Sequence, residues 1–264
     1  MLVDIHGHIG FTAPSAAPPA RLAVYAGACD VDYVLVSNRD AGEAVPGVSG
    51  QDEYDANVAC LKACAGHPRL RPLYWVRPGR ADSNVHAVVG ALQTEPFVGV
   101  VFSPGDMGFD ASGAILDPYL SALAGTACPV LFCTGGDEGA SPTNIYETAR
   151  RHPQVPIVLC RCGLATAHRA SALDVVSQAV SRHNANLYLD TSHASVEEIC
   201  MAVRVVGAER VLFGTDAPSY ADAHIPRHIA LLSELRQALD TDVQRRLFGG
   251  NAAQLFGLTP PGPT

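Results

Sequence analysis

Short apolar runs and amphipathic stretches alternate from one end of this chain to the other. Runs rich in Val, Leu, Ile and Phe fall at 2–6, 33–37, 70–76, 97–103, 130–133, 157–161, 186–190 and 210–214. Most are apolar at consecutive positions, the pattern of strands buried on both faces. Between them apolar residues recur at helical spacing, most clearly at 53–65, 115–125, 170–182, 196–206 and 225–239. Eight strands, each followed by a helical segment, form the arrangement of a closed parallel (β/α)8 barrel, an α/β fold. An open doubly wound sheet is the competing arrangement, disfavoured because no Gly-x-Gly-x-x-Gly follows the first strand. Gly66-His67-Pro68 and Arg151-His152-Pro153 each end a helix and feed a strand, which gives His67 and His152 a structural role at helix C-termini. Loops at 12–19 and 38–51 follow strands 1 and 2, at the end where such barrels carry their chemistry. No shift of composition or long linker divides the chain, so residues 1–264 read as one domain.

Composition narrows the function more than the fold. Of 264 residues 48% are apolar and 17% charged, ample for a large core. The formal net charge of −8, without any block of like charges, offers no basic face for nucleic acid. Lys62 is the sole lysine and lies in a predicted outer helix, which excludes a Schiff base or a carboxylated-lysine metal bridge anywhere else. The eight cysteines show no disulfide-framework spacing and read as buried thiols of a reducing compartment. The start of the chain has no secretory pattern. No apolar run approaches the roughly 18 residues of a membrane span. The expectation is a cytoplasmic protein without a nucleic-acid or membrane partner, and a homo-oligomer is compatible with the sequence.

Two segments carry candidate chemistry. In Asp4-Ile5-His6-Gly7-His8, strand alternation would put residues 4, 6 and 8 on one face. In a barrel that face is the interior, with His8 at the mouth and Asp4 a layer below, placed to orient the imidazoles. Two such imidazoles can share one metal ion. The plain alternative is two loop histidines beside a buried aspartate. In Val211-Leu212-Phe213-Gly214-Thr215-Asp216-Ala217-Pro218 an apolar strand delivers a carboxylate just past its end. Alone, Asp216 could simply cap the next helix. Strands 1 and 8 are neighbours in a closed barrel, however, so His6, His8 and Asp216 should converge.

These segments, with Gly250-Asn251-Ala252-Ala253-Gln254-Leu255-Phe256-Gly257-Leu258 and the strand-like Val98-Gly99-Val100-Val101, resemble the amidohydrolase superfamily. The resemblance is to the branch of aminocarboxymuconate-semialdehyde-type decarboxylases and related hydrolases and lactonases. It implies a mononuclear site, usually zinc, in which a metal-bound water or the substrate is activated. It also implies that the strand 8 aspartate acts as ligand and proton acceptor. The branch includes lactonases that need no metal.

The chain departs from that pattern at two strand ends. Members usually carry a metal-binding histidine ending strand 5 and another histidine ending strand 6; here Cys133 and Arg161 stand there. A Cys133 thiolate would complete a set of His6, His8, Cys133 and Asp216 around one divalent metal, zinc first. It could instead be a nucleophile beside an imidazole, or an inert thiol. Arg161 stays protonated and so is no general base. Its fork suits a substrate carboxylate or a developing oxyanion, or else an internal salt bridge, for which Asp190 is a partner. Arg39, Arg77, Ser103 and His193 also follow strand ends and are substrate-binding candidates, His193 as a replacement for the missing imidazole. Ser37 is a further strand-end candidate. Three arginines near one pocket favour a small anionic substrate. His168, His224 and His228 receive no role. Cys160 and Cys162, flanking Arg161, read as core positions on the opposite face, and Cys60 and Cys64 as core positions four apart on a helix.

The leading expectation is a metal-dependent hydrolase or non-oxidative decarboxylase acting on a small carboxylate. In it Asp216, His6, His8 and Arg161 are catalytic. The rival keeps the barrel without a metal, as a lactonase, cyclase or lyase working through His6, His8 and Asp216, or as a binding barrel without catalysis.

Overall fold

The computed structural model describes residues 1–10, 17–42, 52–80, 83–135, 138–161 and 169–262. Cys162, His168 and parts of the loops at 12–19 and 38–51 lie outside them. Eight parallel strands run in chain order around one sheet: β1 (Val3–Ile9), β2 (Tyr33–Asn38), β3 (Leu70–Trp75), β4 (Gly99–Phe102), β5 (Val130–Cys133), β6 (Ile157–Cys160), β7 (Leu187–Asp190) and β8 (Val211–Leu212). The sheet closes on itself through Ile5 N–H to Phe213 O (3.0 Å), Ala217 N–H to His6 O (3.0 Å) and His8 N–H to Ala217 O (2.8 Å). This is the (β/α)8 barrel the apolar runs predict. Strands 4 and 8 are shorter than those runs, because Phe97, Val98 and Phe213 are buried or partly buried without belonging to the strands.

The outer layer is α1 (Pro19–Ala28), α2 (Glu53–Ala65), α3 (Val85–Thr94), the short α4 (Pro104–Met107), α5 (Asp117–Leu123), α6 (Pro142–Arg151), α7 (Arg169–Arg182), α8 (Val196–Val206) and α9 (His224–Ala238). α10 (Thr241–Arg245) and α11 (Asn251–Phe256) follow. Starts are written in side chains: Asp52, Asn84, Ser141 and Ser195 each accept a backbone N–H of the helix they precede. His152 ends α6 and its Nε2 lies 2.9 Å from Asp117 Oδ1, a structural tie. Lys62 is exposed on α2, away from the barrel interior. No described helix is long and apolar enough to cross a membrane.

Alternate strand residues sort into two cores. Val3, Ile5, Leu35, Leu73, Trp75, Val101, Leu131, Cys133, Val158, Cys160 and Leu212 pack together inside the barrel, over Ala252 and Phe256 of α11. Val34, Val36, Val100, Phe132, Leu159 and Leu189 pack outward against the helices. The C-terminal motif has a plain mechanical role: Asn251 Nδ2 donates to Ala208 O (2.7 Å) and Val211 O (2.8 Å), fixing α11 to β8.

Simple alternation fails in β1. Asp4 pairs with Val34 but Gly7 with Val36, so three residues of β1 span two of β2. This is a bulge, and it resets which residues face inward. Asp4 therefore points outward while His6 and His8 face the axis. Its Oδ1 accepts from the N–H groups of His6 (3.0 Å) and Thr215 (3.0 Å); its Oδ2 accepts from Tyr25 (2.9 Å) and Thr215 Oγ1 (2.5 Å). Asp4 thus seals the junction of β1 with the segment after β8 and touches neither imidazole ring, contrary to the orienting role expected for it.

Candidate active site

At the C-terminal mouth the barrel collects the predicted residues around one carboxylate. His6 Nε2 lies 3.1 Å from His8 Nε2. Asp216 Oδ1 lies 2.9 Å from His8 Nε2 and 3.4 Å from His6 Nε2. Neither contact of Oδ1 has the alignment of a hydrogen bond, and this buried oxygen is without a hydrogen-bond partner among the described residues. A buried acceptor so placed is costly unless something else satisfies it. Two imidazole nitrogens and one carboxylate oxygen, 2.9–3.4 Å apart, have the spacing of ligands on one ion. Metal–ligand bonds of about 2.0–2.1 Å put neighbouring ligand atoms roughly 3.0–3.4 Å apart. The donor set fits a divalent cation.

The other ring nitrogens are held from behind. His6 Nδ1 lies 2.7 Å from Asp190 Oδ2 and 3.2 Å from Ser192 Oγ, and His8 Nδ1 lies 3.0 Å from Ser37 Oγ. With the proton on Nδ1, donated to those oxygens, each Nε2 presents its lone pair to the centre. Asp190, in sequence terms one alternative partner for Arg161, instead orients His6, and Arg161 pairs with Asp216. The available signal for Asp190 was its position: the last residue of β7 faces inward, beside the strand that carries Asp216. Gly214 makes room, since a Cβ there would come within 3.0 Å of Asp190 Oδ2 and 3.2 Å of His6 Cβ.

Asp216 Oδ2 accepts from Arg161 Nε (3.1 Å) and pairs with His193 Nε2 (2.7 Å), whose Nδ1 lies 2.9 Å from Tyr220 Oη. Arg161, His193 and Asp216 have φ of 64°, 63° and 56°. Three non-glycine residues held in the left-handed region around one carboxylate mark a place where backbone comfort is given up for side-chain placement.

The charges explain each other. Burial pushes the Asp216 carboxyl up, but the His6 charge, the hydrogen bond of His193 and the nearby His8 hold it well below the usual range. Burial likewise favours neutral His6, yet the charges of Asp216 and Asp190 raise its pKa well above the ordinary value. Burial dominates at His8 and lowers its pKa.

The remaining predicted residues divide. Cys133, the last residue of β5, faces the barrel interior and groups with His6 and Cys160, their ligand atoms lying within 4.8 Å of one another. His6, His8 and Asp216 form the other such group among the described residues, so His6 belongs to both. Arg39 is half-buried beside β2 and its charge disfavours the protonated form of His8. Ser103 donates to Asp106 Oδ2 (2.6 Å), whose charge reaches Arg161. Arg77 is held by its backbone N–H on Glu53 Oε2 (2.7 Å).

A sequence model of the family described as Amidohydrolase matches residues 3–258. No curated protein sequence matches the chain. Among solved structures, 5-carboxyvanillate decarboxylase from Sphingomonas paucimobilis superposes with a TM-score of 0.73 at 17% identity, over 98% of this chain and 99% of that one. For 2,6-dihydroxybenzoate decarboxylase from Rhizobium the TM-score is 0.75 at 14% identity, over 97% and 98%. For a dihydroxybenzoic acid decarboxylase from Polaromonas, solved with manganese and the inhibitor 2-nitroresorcinol, it is 0.73 at 14%, over 97% and 96%.

Proposed function

The chain belongs to the amidohydrolase family, and we propose that it is a metal-dependent, non-oxidative decarboxylase of a small, aromatic or similarly flat carboxylate. The observation that carries the metal is the orphaned Asp216 Oδ1 facing the two Nε2 atoms of His6 and His8. His6, His8 and Asp216 would hold one divalent ion; zinc and manganese both suit two imidazoles and a carboxylate. Such an ion, when bound, polarises a substrate oxygen as a Lewis acid.

The chain's own groups do the rest. Arg161 and Arg39 place positive charge at the mouth, which draws in a carboxylate. Decarboxylation converts R–COO⁻ and one proton into R–H and CO2. His193, paired with Asp216 Oδ2 at 2.7 Å, is placed to hold that proton before it reaches carbon. Asp190 and Ser192 keep His6 in the orientation the site needs. The test is CO2 release from a panel of hydroxylated benzoates by metal-loaded protein. Release that stops on chelation supports the reading, and metal-loaded protein that releases none from any of them overturns it.

One observation favours a second reading. Arg161 Nε already lies 3.1 Å from Asp216 Oδ2, so a fixed cation partly neutralises the carboxylate that would hold the metal. In that reading the site works without metal, by acid–base chemistry at His6, His8 and Asp216, and turnover survives chelation. Under the metal-dependent reading the same contact makes a quantitative prediction. Arg161→Met removes a charge close to the ion and is expected to tighten Mn(II) binding by about tenfold. Calorimetric titration measures it, and unchanged or weaker binding would refute the competition.

A further inference from the structure

Beside His6 the barrel interior holds two further donors, Cys133 and Cys160, that the proposed reaction does not use. Cys133 and Cys160 are register partners on the adjacent strands β5 and β6, each the last residue of its strand. Both belong to the interior core, with exposures of 4% and 0%. Their sulfurs and a ring nitrogen of His6 lie within 4.8 Å of one another. Two thiols and one imidazole are soft and borderline donors, the chemistry of zinc and cadmium sites. The upper set, two imidazoles and a carboxylate, is harder and also suits manganese. His6 Nδ1 is taken up by Asp190 and Ser192, so Nε2 is the atom left for either set.

We propose that His6, Cys133 and Cys160 form a site for a thiophilic cation such as zinc or cadmium, which competes for His6 with the ion held by His6, His8 and Asp216. The inference goes beyond the proposed reaction, since the lower site needs no substrate and no turnover. On binding, each thiol gives up its proton to solvent and no electrons move. An ion in the lower site takes His6 Nε2 away from the upper one, so soft metals act as inhibitors of the hard site while bound inside the same barrel.

Cd(II) titration of reduced, metal-free protein tests this, with thiolate-to-metal charge-transfer absorption as readout. Wild type should show the band saturating at one equivalent. Cys133→Ala and Cys160→Ala each remove a charged ligand and should weaken Cd(II) binding by well over the roughly 100-fold typical of losing a group that merely orients a ligand. Cys133→Ser and Cys160→Ser serve where packing suffers, with the same loss expected. Asp216→Asn should keep the band while losing Mn(II), whereas His6→Ala should lose both. In wild type preloaded with Mn(II), added Cd(II) should release the manganese, seen as the free-ion signal in electron paramagnetic resonance. A band that persists in the double cysteine variant, or manganese that stays bound beside cadmium, would overturn the proposal. Mn(II) binding by itself reports on the upper site, so failure of one site is distinguishable from failure of the other.

Discussion

Replacing Asp216 by asparagine is expected to abolish binding of Mn(II) or zinc at the upper site, weakening it by about 1,000-fold or more, and to abolish turnover with it. The substitution keeps size and shape but removes the charge that three imidazoles and a guanidinium surround. Of the two carboxylate oxygens, Oδ1 is the orphan that faces both Nε2 atoms, and Oδ2 holds Arg161 and His193. An amide supplies one acceptor where the site uses two. Loss of a charged ligand costs a metal site far more than the 10–100-fold typical of the groups that merely orient ligands. The same change leaves the largely buried Arg161 without its carboxylate, and breaking a buried pair costs about 3 kcal/mol. Calorimetric metal titration and urea unfolding read the two effects separately. Retention of tight metal binding by the variant would remove Asp216 from the ligand set.

The second large effect is acid sensitivity, and it arises outside the metal ligands. His224 and His228, at the start of α9, are each 2% exposed and their rings lie 4.1 Å apart. His224 Nε2 lies 3.2 Å from Thr215 Oγ1, and His228 Nδ1 donates to His224 O (2.7 Å). Burial, reinforced by the charge of His228, pushes His224 down to about 3; burial pushes His228 down to about 4, with the charge of Arg227 in the same direction. Arg21 and His193 also oppose a charge on His224, and Asp216 favours one. Both imidazoles are therefore neutral in the fold and protonate near 6.5 when it opens. Their contribution is fully present above about pH 6.5 and is lost as the pH falls towards 4.

Asp4 works the other way. Burial raises its pKa to about 6, so acid relieves a buried charge. The histidine pair is expected to cost roughly 4 kcal/mol between pH 7 and 5, about 2 from each, offset by about 1 kcal/mol from Asp4. Urea unfolding at the two pH values measures the difference, and His228→Asn should remove about half of the histidine share. An unfolding free energy that does not change between pH 7 and 5, in wild type and variant alike, would show that these imidazoles are not buried as neutral groups.

Much of this was legible in the residues, and two of the three failures share one cause. Strands buried on both faces announce themselves as unbroken apolar runs, which is why all eight could be placed. His6, His8 and Asp216 were legible because H-x-H at one strand end and a carboxylate at another gain meaning only when the strands are neighbours. What escaped was anything that depends on an interruption of alternation. The bulge in β1 turns Asp4 away from the imidazoles, and counting every second residue cannot show it. At the end of β6, Arg161 adopts a positive φ, so Cys160 and Arg161 both reach inward. Strict alternation had put Cys160 on the outer face, and so hid its partnership with Cys133. Asp190 was read as an ion-pair partner because a carboxylate after an apolar strand looks the same whether it meets an arginine or a histidine.

The most direct test of the central claim is the stoichiometry of Mn(II) bound by metal-stripped wild-type protein, read from loss of the free-ion signal in electron paramagnetic resonance. The geometry predicts one tightly bound equivalent, lost in both His6→Ala and Asp216→Asn. Wild-type protein that binds no manganese, and no zinc in competition, would contradict the metal site and leave His6, His8 and Asp216 to acid–base chemistry alone.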